Sequence, residues 1–236
     1  MKPVSTLVAQ CHREIAELIR PGITTLEIND AVEAYMLKNG GKPFTKGYNG
    51  YEFATCASVN DVIAHGFPNK KPLREGDIVK IDIVAEVDGW IGDSAWCYAV
   101  GAISEEAETL MRVTRKCLEL GIANAVVGNR IGDCQHAIQA HAESHGFSVV
   151  RDLLAHGVGR ELHEDPSFVH FGKAGKGFRL KEGMVLTIEP MIHAGTWQMK
   201  IDLDGWTART LDGRLSAQYE HTIAITAEGS IILTAH

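Results

Sequence analysis

The sequence has no CxxC pair, and its five cysteines (Cys11, Cys56, Cys97, Cys117 and Cys134) are odd in number and scattered. That argues against a disulfide framework and reads as reduced thiols in a cytoplasmic protein. No run of about 18 apolar residues occurs, and no apolar signal core precedes the first helical pattern, so neither a membrane span nor a secretion signal is expected. Basic residues are the minority, 23 Lys and Arg against 30 Asp and Glu, giving a net charge of −7. Phosphate binding needs clustered Lys and Arg, so a nucleic-acid binder is disfavoured. No Pro/Gly/Ser-rich linker divides the chain, which predicts one compact domain over residues 1–236.

What is present is an ordered alternation of helical and strand patterns. Leu7, Ile15, Leu18 and Ile19 have helical spacing, stopped by Pro21-Gly22. Thr24-Thr25-Leu26-Glu27 has capping-box spacing and opens a second helix to about Lys38, ended by Asn39-Gly40-Gly41. Strands follow at Ala54 to Val59, Ile78 to Val87 and Trp90 to Val100, the last two joined at Asp88-Gly89. Ser104-Glu105-Glu106 starts a long helix to about Val126, and Gly132-Asp133 another that closes at His145-Gly146. From Val149 the chain is strand-rich again.

Two helices then strands, twice over, suggests duplication into halves of roughly 1–100 and 101–236. Residues supporting it are Leu73 to Asp82 (LREGDIVKID) against Leu180 to Glu189 (LKEGMVLTIE). Each is a charged Gly turn feeding a strand that ends in a carboxylate. Ile63 to Phe67 likewise parallels Leu154 to Val158. The expected class is an α+β domain whose halves bring equivalent carboxylates to a central site.

The chemistry lies in those carboxylates. Asp82 stands among β-branched apolar residues, where burial is costly without a cation or partner. Asp93 follows beyond the Asp88-Gly89 turn, so the two can face each other across a hairpin, and two facing carboxylates call for positive charge between them. Glu189 ends an apolar strand before Pro190, Glu220 stands before Ile223-Ala224-Ile225, and His156 lies in the Gly-flanked Ala155-His156-Gly157. Four carboxylates and one imidazole suit two divalent first-row ions, and are a poor structural zinc set. Two such ions about 3.5–4 Å apart can generate a hydroxide at neutral pH and polarise a carbonyl, the requirements of amide hydrolysis. Proton transfer falls to a glutamate of the set. His65 and His163 stand near the repeat equivalents, available to orient a substrate.

The segments Asn60–Pro68 (NDVIAHGFP), Ile81–Asp93, His156–Pro166 (HGVGRELHEDP), Thr187–Met191 (TIEPM) and Ser216–Thr222 (SAQYEHT) resemble, in order and over nearly the whole chain, the type I methionine aminopeptidases. The resemblance implies the pita-bread (creatinase/aminopeptidase) fold, with two pseudo-symmetric halves around a curved antiparallel sheet. It implies removal of the N-terminal methionine from proteins and peptides. Asp82, Asp93, His156, Glu189 and Glu220 would hold two divalent ions (Co, Mn, Fe or Zn), with Asp93 and Glu220 bridging and Glu189 also the general base. His65 would contact the scissile amide nitrogen and His163 the developing oxyanion, while Tyr48, Tyr51, Cys56 and Trp206 would wall the methionine pocket. A monovalent cation is implied at main-chain oxygens near Asn60, Val62 and Ser216.

The partner implied is the N-terminal Met of nascent polypeptides, with association with the ribosome, for a cytoplasmic monomer without membrane or specific nucleic-acid partners. Leu162 departs from a phenylalanine frequent in relatives, and the chain starts directly at the first helix without a zinc-finger extension, like the short bacterial form. Xaa-Pro peptidases share the fold and ligands but resemble longer chains. A non-catalytic interaction protein would have lost ligands that are all present here.

Overall fold

A computed structural model describes residues 1–236. The first half runs α1 (Lys2–Ala16), α2 (Thr25–Lys38), β1 (Lys42–Pro43), β2 (Thr55–Val59), β3 (Val62–Ala64), β4 (Ile78–Val87) and β5 (Trp90–Ala99). The second runs α3 (Glu105–Asn124), α4 (Ile131–Ser144), β6 (Ser148–Val149), β7 (Ala155–Gly157), β8 (Glu164–Phe168), β9 (Val185–Ile188), β10 (Met191–His193), β11 (Met199–Ile201), β12 (Ala208–Thr210), β13 (Ser216–Gln218), β14 (His221–Thr226) and β15 (Gly229–Ile232). No helix is long and apolar enough to cross a membrane.

Local chemistry explains the main boundaries. Thr24 Oγ1 accepts from the Glu27 N–H at 3.1 Å while Glu27 Oε2 accepts from the Thr24 N–H at 2.8 Å, closing the capping box of α2. Ser104 caps α3 through its hydroxyl. Asp88 and Gly89 both have positive φ (51° and 71°), the type I′ geometry that matches strand twist, so β4 and β5 pair over their full length. Gly76 (φ 89°) and Gly183 (φ 85°) make the left-handed turns two residues before β4 and β9.

Packing sets which face of β4 meets the site. Val79, Ile81, Ile83 and Ala85 bury against Val4, Leu7, Val8, Cys11 and Ile15 of α1 and Ile28, Val32 and Met36 of α2. Each full burial of such a side chain contributes about 1.5–3 kcal/mol. Because side chains alternate along a strand, Lys80, Asp82 and Val84 are thereby turned to the opposite face. A second core, formed by α3 and α4 with Leu186, Ile188, Ile192, Ala217 and Ile223, backs β9, β10, β13 and β14. The β4–β5 hairpin and the β9–β14 pair thus each have helices behind and a free face in front.

Candidate active site

Every candidate site residue lines one cavity of about 480 Å³: Tyr48, Tyr51, Cys56, His65, Asp82, Asp93, His156, His163, Glu189, Trp206 and Glu220. Asp82, Asp93 and Glu220 each offer a carboxylate oxygen within 4.8 Å of the others. His156 joins them, with Nε2 3.7 Å from Asp93 Oδ2 and 3.8 Å from Glu189 Oε1.

The register explains the convergence and refines one expectation. Asp82 pairs with Ala95, and Asp93 with Val84, so the two aspartates are diagonal neighbours on one face rather than directly opposite. The two-residue turn dictates this, because it sets Val87 against Trp90 and every later pair follows. In the other half Ile188 pairs with His221, which brings Glu189 and Glu220 to the same end of β9 and β14. Hydrogen bonds between the halves lock the carboxylates together. Ser94 Oγ donates to Glu220 O (2.7 Å), the Glu220 N–H to Ala95 O (2.8 Å), and Thr222 Oγ1 to Asp93 O (2.7 Å).

The electrostatics are those of a cation site. Asp93, Glu189 and Glu220 are at most 8 % exposed. Burial raises all four carboxyl groups above their ordinary range, and for Asp93 and Glu220 the neighbouring carboxylates add to the effect. Asp82 Oδ1 and Asp93 Oδ1 are buried without a hydrogen-bond partner. Unpaired buried carboxylate oxygens facing one another are unfavourable unless a cation lies among them, so this donor set fits divalent metal ions.

His156 is a neutral, oriented imidazole whose chemistry could serve a metal. Its Nδ1–H donates to Gly157 O at 3.0 Å, which leaves Nε2 with a free lone pair toward the carboxylates. Burial holds its pKa down to about 4, so it is uncharged at neutral pH. Thr187 Oγ1 donates to Glu189 Oε1 at 2.8 Å, and the Glu189 N–H donates to buried His170 Nε2 at 3.0 Å. Thr187, His170 and the lining residue Gln218 were not singled out in the sequence. The alternation signal was available for two of them, since Thr187 and Gln218 stand two residues before Glu189 and Glu220.

His163 Nδ1 lies 2.8 Å from the Tyr48 hydroxyl, and its ring stands 4.3 Å from that of His156. His65, with φ 58°, lies edge-on to Trp206 with centroids 6.3 Å apart. Tyr51 is buried, donates to Gly66 O at 2.9 Å and meets Trp206 edge-to-face at 5.1 Å. Cys56 pairs with Asp82 across β2 and β4, and burial first, then the Asp82 charge, keeps it a thiol. Leu162 joins Val84, Ile91 and Val158 in a small apolar cluster at the cavity wall.

One expected site does not fit its ion. Of the main-chain oxygens near Asn60, Val62 and Ser216 expected to hold a monovalent cation, those of Asn60 and Ser216 accept from Lys80 Nζ at 2.9 and 2.8 Å instead. Burial lowers the Lys80 pKa to about 8, which leaves the group charged at neutral pH.

Comparison with known proteins places this geometry. The family model for metallopeptidase family M24 matches residues 1–227. The chain is 49 % identical to methionine aminopeptidase A of Synechocystis sp., covering 99 % of this chain and 93 % of that one. It is 47 % identical to methionine aminopeptidase 1 of Bacillus subtilis, covering 99 % and 94 %. The crystal structure of methionine aminopeptidase from Thermotoga maritima superposes with a TM-score of 0.98 at 46 % identity, covering 100 % of this chain and 95 % of that one. Prolidase from Pyrococcus furiosus, 22 % identical with a TM-score of 0.80, shares the fold, and this chain covers 62 % of its length.

Proposed function

The chain belongs to metallopeptidase family M24, with the α+β pita-bread fold, and from that premise we propose that it is a dinuclear-metal aminopeptidase removing N-terminal methionine from proteins and peptides. The observation that carries the reading is the convergence of Asp82, Asp93, His156, Glu189 and Glu220 on one cavity, with a buried oxygen of Asp82 and of Asp93 lacking any partner. Its full-length relatives are methionine aminopeptidases, whereas the prolidase it resembles is a longer chain.

In this reading Asp82, Asp93, His156, Glu189 and Glu220 would together hold two divalent ions. Bound there, such ions supply Lewis acidity that activates water and draws electrons from the scissile carbonyl. Glu189 accepts the proton of the attacking water and returns it to the leaving amine, its carboxylate held by the Thr187 hydroxyl. Burial keeps His65 neutral, so one ring nitrogen is free to accept the scissile N–H. His163 Nδ1 is engaged by the Tyr48 hydroxyl at 2.8 Å; with Tyr48 as the donor, the ring hydrogen would sit on Nε2, where it can stabilise the oxyanion. Tyr51, Cys56 and Trp206 form an apolar wall suited to a flexible thioether.

Matched devices in the two halves support a single domain that arose by duplication. Gly40 and Gly146, both left-handed, end the second helix of each half, and Gly76 and Gly183 precede the strands that carry Asp82 and lead to Glu189.

The test is hydrolysis of Met-Gly-Met-type peptides against Xaa-Pro peptides by protein reconstituted anaerobically with Co, Mn, Fe or Zn. Release of methionine with at least one metal, and none with chelator, is expected. Preferential cleavage of Xaa-Pro bonds, or stable folding without metal uptake, would overturn it.

A further inference from the structure

Lys80 is 1 % exposed and lies on β4 two residues before Asp82, on the same face. Its two hydrogen-bond partners are the carbonyls of Asn60 and Ser216. None of the protein's ion pairs includes it, and the nearby Asp61 carboxylate is held by Arg209 at 2.7 Å. A buried ion pair would set a carboxylate against the ammonium. A cation satisfied by carbonyl dipoles is instead the arrangement by which proteins replace the hydration shell of an alkali ion.

The two carbonyls come from segments that the ammonium joins. Asn60 has φ 52°, and its carbonyl also accepts the Ser216 N–H at 3.1 Å. Its side chain bonds Asp77 and the Ile78 N–H at the start of β4. Ser216 opens β13, which leads through Gln218 to Glu220. His193 pairs with Ser216 across β10 and β13, and both His193 Nε2 and Ser216 Oγ are buried without a partner. The surroundings of Lys80 Nζ are therefore rich in uncharged donor atoms, the set a monovalent cation prefers.

We propose that Lys80 is a tethered monovalent cation: its ammonium permanently fills a carbonyl site that would otherwise take an alkali ion, and so positions the strand bearing Asp82 against the segment bearing Glu220. The chain consequently needs no sodium or potassium for stability or turnover. Shortening residue 80 to a small polar side chain opens the site and creates that need. The positioning role rests on the ligand set proposed above, whereas the cation site itself does not.

Thermal unfolding of the full chain at constant ionic strength in potassium, sodium or tetramethylammonium chloride tests it. Wild-type Tm is the same in all three salts. Lys80→Ser unfolds roughly 5–10 °C lower in tetramethylammonium chloride, and potassium or sodium restores most of the loss. Lys80→Met is lowered without restoration, because its stem fills the space and offers no charge. A wild-type Tm raised selectively by potassium or sodium would overturn the proposal. So would a Lys80→Ser protein equally stable in all three salts, or unfolded in all. Methionyl-peptide hydrolysis by Lys80→Ser should recover with the same salts. Restored stability with hydrolysis indifferent to the salt would remove the positioning role. Unfolding requires no substrate, so a wild-type chain inactive in every salt but showing the expected Tm pattern would defeat the peptidase reading alone.

Discussion

Asp82 and Asp93 are diagonal neighbours on one face of the β4–β5 hairpin, Asp82 against Ala95 and Asp93 against Val84. Directly opposed carboxylates would repel along the shortest cross-strand distance. The diagonal offset lets both approach Glu220, which immediately precedes β14 of the other half, while His156 on β7 lies beside Asp93. The site is thus a meeting of two strand pairs, and its cost without cations is concentrated in the buried carboxyl groups of Asp93, Glu189 and Glu220 and the half-buried one of Asp82.

That cost predicts how metal-free protein responds to pH. The folded pKa values of Asp82, Asp93, Glu189 and Glu220 are raised, chiefly by burial. Their contribution to stability is therefore fully present below the unfolded carboxylate pKa of about 4 and is lost as pH rises through the raised values. Buried His12, His156, His170 and His221, with pKa values lowered to about 3–4, act oppositely. Their contribution grows with pH only until the unfolded value of about 6.5 is passed. Lys80, with a folded value of about 8, adds stability only above that. From about pH 6.5 to about 8 the carboxyl groups dominate, and Tm in chelator should fall, whereas saturating manganese should abolish or reverse the decline. A Tm in chelator that rises across this window would contradict the assignment.

The hairpin, the capped helices and the five convergent side chains were legible because each obeys a local rule. Asp88-Gly89 between alternating apolar residues sets β4 and β5, Thr24 with Glu27 sets α2, and a carboxylate among β-branched residues marks an unusual burial. The diagonal register was harder to read, since it depends on which residue pairs close the turn. The bonds from Ser94 to Glu220 and from Thr222 to Asp93 join residues more than a hundred positions apart, so only the fold could reveal them. Lys80 was concealed by its own type: a lysine within a strand ordinarily signals a solvent face, and here that face is buried by β13.

Glu189→Gln keeps the shape of the side chain and an acceptor for the Thr187 hydroxyl while removing the base. Folding should be preserved, and kcat for methionyl peptides should fall by about 10²–10⁴-fold. Circular dichroism, metal analysis and steady-state hydrolysis together check this, and near-normal turnover would exclude Glu189 as the proton acceptor.

His65 sits at φ 58°, a backbone conformation that costs most residues about 1–2 kcal/mol but that asparagine tolerates. His65→Asn therefore tests chemistry with less backbone strain than alanine would introduce. It should lower kcat by about 10²-fold or more with divalent metal content unchanged. Loss of bound metal in this variant would instead make His65 part of the metal shell.

Trp206 is half-buried and meets Tyr51 and His65 edge-on at the cavity wall, and it contributes to none of the protein's hydrophobic core clusters. Its removal should affect binding of the first side chain more than folding. Trp206→Ala widens the slot and forfeits an aromatic face, so KM for methionyl peptides should rise about 10-fold or more, a loss of about 1.4 kcal/mol or more. Because the metal shell and Glu189 are untouched, kcat should change far less, and Tm should stay near wild type. The wider slot should also weaken discrimination between methionine and bulkier first residues. Comparing kcat/KM for peptides beginning with methionine or phenylalanine measures that directly. A variant with unchanged KM and unchanged selectivity would show that Trp206 does not wall the pocket, leaving that role to other lining residues such as Tyr48 and Leu162.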